Sequence, residues 1–560
     1  MSAPAPEIPE TKNDMDNGHE LPSSITSANG PDKEQGDEET DITYAGPLRL
    51  TIIMCTLSLS TLIAALDLGI VATAIPKITS DFHALDHIGW YSGACFLLVG
   101  TTSAPWGKMY KFFSATYTYM MALGLYLVGS VVAAAAPNSI ALILGRALQG
   151  WGCAGTLGGS VLIINFTADP KFRPMLIGLW MGVFMIATTI GPLLGGVFTS
   201  EVSWRWCFWV NLPVGGTAIV LQFLFLRMPK HIKPTSATWT EILRHLDLSG
   251  WTVLFSSVIC FLLAMEWGGL AKQWSDGAVI ATLTLWVALS IAFVAIEWFQ
   301  GEYAIMPLRM LKPRPFWSHL IYAWIANLGN FQILFYLPIY FQSVHGSSAI
   351  MSGVYSLPFM AFYTLGAIIS GILVGKTRLL QPIELVSGLI AVLGAALIYC
   401  IDVGTPKAWW IGAQVPFGLG IGLGNQVPVT ALQGFATPET VAAMMGVAFM
   451  CQSISGAYFV SAGNSIFNNY MLKTLSATAP HISSSEILYM GVAELKNAFH
   501  GEDLALIRQA YMVGIKDVFA FALAGACLTV VLALIVPFKK LPDHEAKKAE
   551  DKEAADKALE

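Results

Sequence analysis

Two side chains in this sequence have a chemistry that their surroundings make conspicuous. Asp67 and Arg146 each lie in the middle of a long apolar run. An unpaired charge at the centre of a bilayer costs at least ~2.5 to 3.5 kcal/mol, so an ionisable residue kept at such a depth is a functional candidate by default. Asp67 lies nine residues before Pro76 and Arg146 seven after Ser139. At a rise of 1.5 Å per residue, both fall roughly 11 to 13 Å below the same boundary, within reach of each other. A carboxylate beside a guanidinium is favoured as the anion, and loss of that contact or of water favours the acid. The pair is therefore either a permanent lock between two helices or a proton carrier. Thr56, Ser60 and Asp67 share one side of the first run, and Arg146, Gln149, Cys153 and Ser160 share one side of the fourth. Such polar stripes suit a water-filled cavity better than a dry helix contact.

The elements that must position these residues follow from composition. Of 560 residues, 55% are hydrophobic and 12% charged, against roughly 25% charged in a soluble domain. Residues 1–47 hold 11 acids and 2 lysines, and 538–560 hold 7 acids and 6 lysines. The 490 residues between them keep 42 charges, which excludes a soluble enzyme, a nucleic-acid binder and a disordered scaffold. Apolar runs of about 20 residues, enough to cross the hydrocarbon, recur fourteen times between Leu48 and Pro537. The expectation is an all-α polytopic membrane protein. All eight cysteines lie within these runs and read as buried apolar thiols.

Charge asymmetry orients the chain. With the N-terminus inside, 13 basic residues of the short loops, among them Lys108, Lys111, Lys171, Arg173, Lys376 and Arg378, face the cytoplasm, and Lys77, Arg205, Lys272 and Lys407 face outward. The positive-inside rule then puts both termini in the cytoplasm. The layout is a disordered tail (1–47), six spans (48–228), a cytoplasmic loop (229–246), two additional spans (247–300), a second loop (301–315), six more spans (316–537) and a tail (538–560). A long outer loop is expected over 469–514. There Ser483 and Glu486 form a capping box, followed by Leu488, Val492, Leu495 and Phe499 at helical spacing. Glu266, Glu297, Glu384 and Asp402 lie near span ends, where they are expected to snorkel or be solvated.

Four motifs stand in order. The run Leu66-Asp67-Leu68-Gly69-Ile70-Val71-Ala72-Thr73-Ala74-Ile75-Pro76 resembles the first-span signature of the fourteen-span drug:proton antiporter branch of the major facilitator superfamily. Gly145 to Gly152, around Arg146 and Gln149, resembles the fourth-span motif, Gly191-Pro192-Leu193-Leu194-Gly195-Gly196 the antiporter motif, and Trp204 to Pro213 the segment leading into span 6. Leu337 to Gln342 and Gly422 to Pro428 are similar to fungal members that export toxins and other secondary metabolites. The loop after span 2 departs from the pattern, with Lys111 where the family has an Asp, so an Asp-based latch is not expected. Glycines four apart, Gly178 with Gly182 and Gly191 with Gly195, let a neighbouring helix approach closely, and Pro192 removes a backbone hydrogen bond and is expected to kink span 5 there.

The resemblance implies a major facilitator fold, two six-helix bundles plus two extra spans, and a proton-coupled efflux pump working by alternating access. Asp67 is then the proton carrier and Arg146 its modulator. Facing halves would line the substrate cavity with Thr73 and Gln149 on one side and the uncharged Asn327, Asn330, Gln332, Asn425 and Gln426 on the other, with Gln414 and Gln452 as further amides. Trp90, Tyr91, Phe96, Trp324, Phe331 and Phe335 are candidate aromatic walls. Such a cavity suits a sizeable, weakly charged organic molecule. The expected partners are that substrate, protons and the lipid bilayer, with no nucleic acid, no cofactor beyond the proton and no metal, in a monomer of the plasma or vacuolar membrane. An importer or a transporter-like sensor on the same fold is the alternative reading, and no catalytic set or phosphate-binding loop supports an enzyme or an ATP-driven pump.

Overall fold

In the computed structural model the described residues are 46–82, 88–228, 234–437, 440–483, 487 and 495–542. Nearly all of the tails, Glu486 of the capping box, and Leu488 and Val492 of the stripe that follows it lie outside them. Long uncharged stretches leave the backbone no choice but internal hydrogen bonding in a bilayer, and the chain accordingly forms long helices: α1 (Pro47–Phe82), α2 (Ile88–Phe112), α3 (Ala115–Ala134), α4 (Ser139–Thr167), α5 (Arg173–Val197), α6 (Asn211–Phe225), α7 (Leu248–Trp267), α8 (Gly277–Gln300), α9 (Arg314–Ser343), α10 (Ala349–Thr377), α11 (Gln381–Tyr399), α12 (Lys407–Asn425), α13 (Val441–Thr478) and α14 (Gly501–Ile535). Side-chain caps fix several starts: Asn138 accepts from Ala141 N–H, Asp276 from Ala278 N–H and Ser348 from Met351 N–H.

Among the described residues, twelve helical segments are long and apolar enough to cross a membrane. The helices over the expected second and twelfth spans, α2 and α12, form but are not among the twelve. Their sequences explain this, because Thr101-Thr102-Ser103 and Lys108 dilute α2 while five glycines dilute α12. Two expectations about boundaries are corrected. Helix α1 continues through Pro76 to Phe82. The outer loop expected over 469–514 is largely helix, since α13 runs on to Thr478 and α14 already begins at Gly501. Neither extension contains a proline or an interior glycine break before Gly514, so nothing stops the helices where apolarity falls.

Helices α1 to α6 pack chiefly on one another, with α3 and α2 on α4 and α1 on α5, while α9 to α14 form a second set built on the α10–α12, α11–α12 and α9–α14 contacts. The sets meet along two seams, α2 with α13 and α5 with α10. The α7–α8 hairpin lies beside the first seam, with α7 touching both α2 and α13. At the end of the molecule carrying Lys108 and Lys171 both seams are tight. A Cβ at Gly107 would come within 2.8 Å of Ala442 O and Gly446 Cα, and one at Gly371 within 2.7 Å of the Pro174–Met175 backbone. The space left between Gly107 and Gly446 is about 10 Å³, roughly one water.

Candidate proton and substrate site

The structure joins Asp67 and Arg146. Arg146 Nη1 donates to Asp67 Oδ2, and each side chain is 1% exposed. Four further helices complete the guanidinium's shell and that of its neighbours. Arg146 Nε donates to Tyr91 O at 2.8 Å, Nη1 also donates to Gln149 Oε1 at 2.8 Å, and the Phe208 ring lies 5.8 Å from the guanidinium carbon. Gln149 Nε2 donates to Ser130 Oγ at 2.8 Å and more weakly to Asp67 Oδ1 at 3.3 Å. Asn211 Nδ2 reaches the same Ser130 Oγ at 3.3 Å. A buried ion pair needs hydrogen bonds beyond its own contact to offset desolvation, and this one has them.

Three placements differ from the sequence expectation. Gln149, expected on the cavity wall, belongs to the charge network. The polar stripes around Asp67 and Arg146 are not the wall of a wet cavity in this conformation: Ser60 accepts from Gln222 Nε2, Tyr119 pairs with Ser160, and Thr56, Ser60 and Ser160 are all buried. Tyr91, expected as an aromatic wall, is fully buried and contributes its carbonyl to Arg146. Sequence reasoning misses Ser130, whose only signal is its place in an apolar run, and gives Asn211 no role beyond its place in the Trp204 to Pro213 segment.

The antiporter motif is seated directly on this network. A Cβ at Gly191 would lie 2.8 Å from both Gly69 Cα and Leu66 O, so the residues on either side of Asp67 pack onto bare α5 backbone. Gly195 O accepts from Thr199 Oγ1 at 2.6 Å, and a Cβ at Gly196 would meet open space. Helix α5 runs unbroken past Pro192 and loosens into a π turn over Phe198–Val202. The side chains of Pro192 and Thr73 lie outside the described residues. On its other face α5 meets the second set, where Gly178 lies against Ala367 and Gly182 against Thr364. One helix thus touches both the buried carboxylate's turn and the opposite half.

In the second half, Asn425 Nδ2 donates to Tyr363 Oη at 2.7 Å, and Gln452 Nε2 approaches Asn425 O at 3.5 Å. Asn327 Nδ2, Asn330 Oδ1, Asn425 Oδ1 and both amide atoms of Gln426 are buried and have no protein hydrogen-bond partner among the described residues. Groups of this kind are rare in folded proteins and fit a site whose polar partners come from a ligand or solvent. The Oε1 atoms of Gln332 and Gln414 are unpartnered in the same way, but Gln332 Nε2 donates to Phe459 O of α13 at 2.5 Å, beside Gly463, and Gln414 Nε2 donates to Tyr355 O and Trp410 O, so both amides also tie helices together. A cleft of about 800 Å³ opens elsewhere, between the α7–α8 connection, α13 and α14, lined by Met265, Trp274, Asn469, Lys473 and Phe521. None of the expected cavity residues lines it.

Two acids expected to snorkel are buried instead. Glu384 and Glu297 are both 0% exposed. Glu384 pairs with His319 across α9 and α11, and Glu297 Oε2 accepts from Met306 N–H at 2.6 Å. Near Glu297, Lys108 donates to three backbone carbonyls, those of His245, Tyr303 and Ala304, at 2.5 to 2.7 Å. Although the family's Asp is absent, this end of α2 is still tied to both ends of the α7–α8 hairpin, through a lysine on backbone carbonyls.

The residues from 57 to 460 match the Major Facilitator Superfamily model. The chain belongs to the Major Facilitator Superfamily. It is 62% identical over 500 residues to the efflux pump notK of Aspergillus sp. (strain MF297-2), covering 89% of each chain. It is 54% identical over 513 residues to a dehydrocurvularin exporter of Alternaria cinerariae, covering 92% of this chain and 88% of that one. The human organic anion transporter MFSD10 (TETRAN), at 12% identity and a TM-score of 0.53, shares the fold over 86% of this chain and 100% of its own. As a superfamily member this chain is a membrane transporter and not an enzyme.

Proposed function

We propose that this superfamily member exports a small organic secondary metabolite in exchange for protons, by alternating access of two six-helix halves. The reading takes fourteen spans, α1 to α14, with α7 and α8 as the additional pair, both termini in the cytoplasm and the plasma membrane as location. It works as a monomer, with the proton as its only coupling ion. The observation that carries it is the seating of the Asp67–Arg146 pair against Gly191 of α5, which also lines the seam with α10. A rocking of α5 at the seam would then disturb the turn that holds Asp67. A carboxylate in contact with Arg146 is favoured as the anion, and loss of that contact in surroundings poor in water favours the acid, so the site takes a proton when the two side chains separate. The driving force is ~1.4 kcal/mol per pH unit plus ~2.3 kcal/mol per charge per 100 mV. One tightly coupled proton sustains a concentration ratio on the order of a hundredfold.

The substrate class follows from the uncharged second half and from the relatives. Asn327, Asn330, Asn425 and Gln426 offer neutral donors and acceptors with aromatic neighbours such as Phe331, and the similarity to a dehydrocurvularin exporter makes dehydrocurvularin the first probe. Comparing metabolites inside the cell and in the medium, with and without the gene, tests the reading. Export predicts one organic product retained inside the deletion strain, and depletion of a compound normally taken up from the medium would establish import instead.

A further inference from the structure

The second half holds a titratable couple that the Asp67 site does not use. His319, on α9, and Glu384, on α11, lie 2.8 Å apart from Nδ1 to Oε1, with 1% and 0% exposure. The other carboxyl oxygen, Oε2, is buried and has no hydrogen-bond partner among the described residues. Tyr322 Oη lies within 3.3 Å of Glu384 O and of Ser387 Oγ, and Ser387 Oγ donates to Gly420 O at 2.7 Å. The couple thus sits in a polar thread linking α9, α11 and α12.

Its charge state follows from what surrounds it. On α9, Arg314 is engaged with Ile535 O, and Tyr322 is the remaining titratable neighbour. On α11 Glu384 is the only charged residue, and on α12 the only one, Lys407, is at the far end. The short helix Val427–Phe435 has no charged side chain, and α14 has none from Val518 to Ile535. Lys376, on α10, is exposed. With no cation other than His319 in contact with it among the described residues, an ionised Glu384 beside neutral imidazole would be a buried net anion, which low dielectric strongly disfavours. One proton shared between Nδ1 and Oε1 leaves the couple neutral, and the bare Oε2 is then a neutral carbonyl oxygen.

We propose that the His319–Glu384 couple is a second proton-binding site of this transporter, separate from Asp67. In the closed state it holds one proton, as carboxylic acid donating to imidazole. When water reaches it, one proton leaves to solvent: the imidazole gives up Nε2–H, the carboxyl proton passes to Nδ1, and a carboxylate hydrogen-bonded by neutral imidazole remains. Its position near the starts of α9 and α11, the end bearing Arg314 and Arg378, makes that solvent the cytoplasm in the proposed orientation. Its use in coupling rests on the proton-exchange reading given above, whereas its proton binding does not.

Infrared difference spectroscopy of the full-length protein in lipid, between acidic and alkaline buffer, tests this. The wild type is expected to show the carbonyl stretch of a buried carboxylic acid. Glu384→Gln should lose that component, Asp67→Asn should keep it, and His319→Gln should shift its frequency by removing the imidazole. Persistence of every carboxyl component in Glu384→Gln overturns the proposal. If Glu384→Gln does not fold, an unshifted band in His319→Gln overturns it equally. The spectrum needs no transported molecule, so a failed export assay would sink the transport reading while leaving this result standing.

Discussion

At the residue scale the central fact is a carboxylate and a guanidinium buried together in a network of amides and hydroxyls. Asp67→Asn keeps the shape and one acceptor oxygen for Arg146 but removes the titratable carboxyl. It should reach the membrane at wild-type levels and lose gradient-driven export at least about hundredfold, measured as metabolite efflux. Arg146→Ala is harsher, because it leaves a buried anion unpaired at a cost of about 3–5 kcal/mol, so its yield of folded protein should fall. Arg146→Lys separates the two readings of the pair. It keeps the charge but not the fork that binds Asp67, Tyr91 O and Gln149 together. Retained coupling in that variant would mark the pair as a structural lock. The sequence made Asp67 and Arg146 legible because charge in hydrocarbon is rare. It could not show Ser130 or the carbonyl of Tyr91, because a serine or a backbone oxygen in an apolar run has no distinguishing pattern. Nor could it show that Glu297 and Glu384 are buried, since nearness to a span end does not say which way a side chain turns.

At the element scale, α5 and α2 are the helices that connect halves. Gly191 has no room for a side chain against Leu66 and Gly69, so Gly191→Val should push α1 from α5 and reduce export about tenfold or more, while Gly196→Ala, which meets open space, should be near neutral. Efflux assays at matched expression distinguish them. Lys108 ties α2 to both ends of the α7–α8 hairpin through three carbonyls. Lys108→Met keeps the stem but removes hydrogen bonds from a charged donor, each worth about 1.5–3 kcal/mol. A lowered thermal midpoint of the purified protein is expected, and an unchanged one would mean that the hairpin is held by its apolar contacts alone. Helix identity was readable from the apolar runs. Helix ends were not, because α1 tolerates Pro76 and because α13 and α14 extend past the point where hydropathy declines.

At the scale of the whole molecule, the structure has its seams closed at the end bearing Lys108 and Lys171, with Gly107 in backbone contact with Gly446. Alternating access requires this contact to open. Gly107→Val, whose Cβ would come within 2.8 Å of Ala442 O and Gly446 Cα, should therefore hinder closure at this seam and lower export about tenfold at matched expression. Undiminished export in that variant would exclude this contact as part of the cycle. The basic loops mark where the apolar runs group, and the helices pack as two sets with α7 and α8 beside one seam, but the seam itself was not legible, because glycine spacing does not name its partner helix. The most direct test of proton-driven export uses purified protein in sealed vesicles, the metabolite retained by the deletion strain, and an imposed pH gradient. The account predicts uphill accumulation that a protonophore collapses and that Asp67→Asn lacks, whereas equal, gradient-independent movement in both proteins would contradict it.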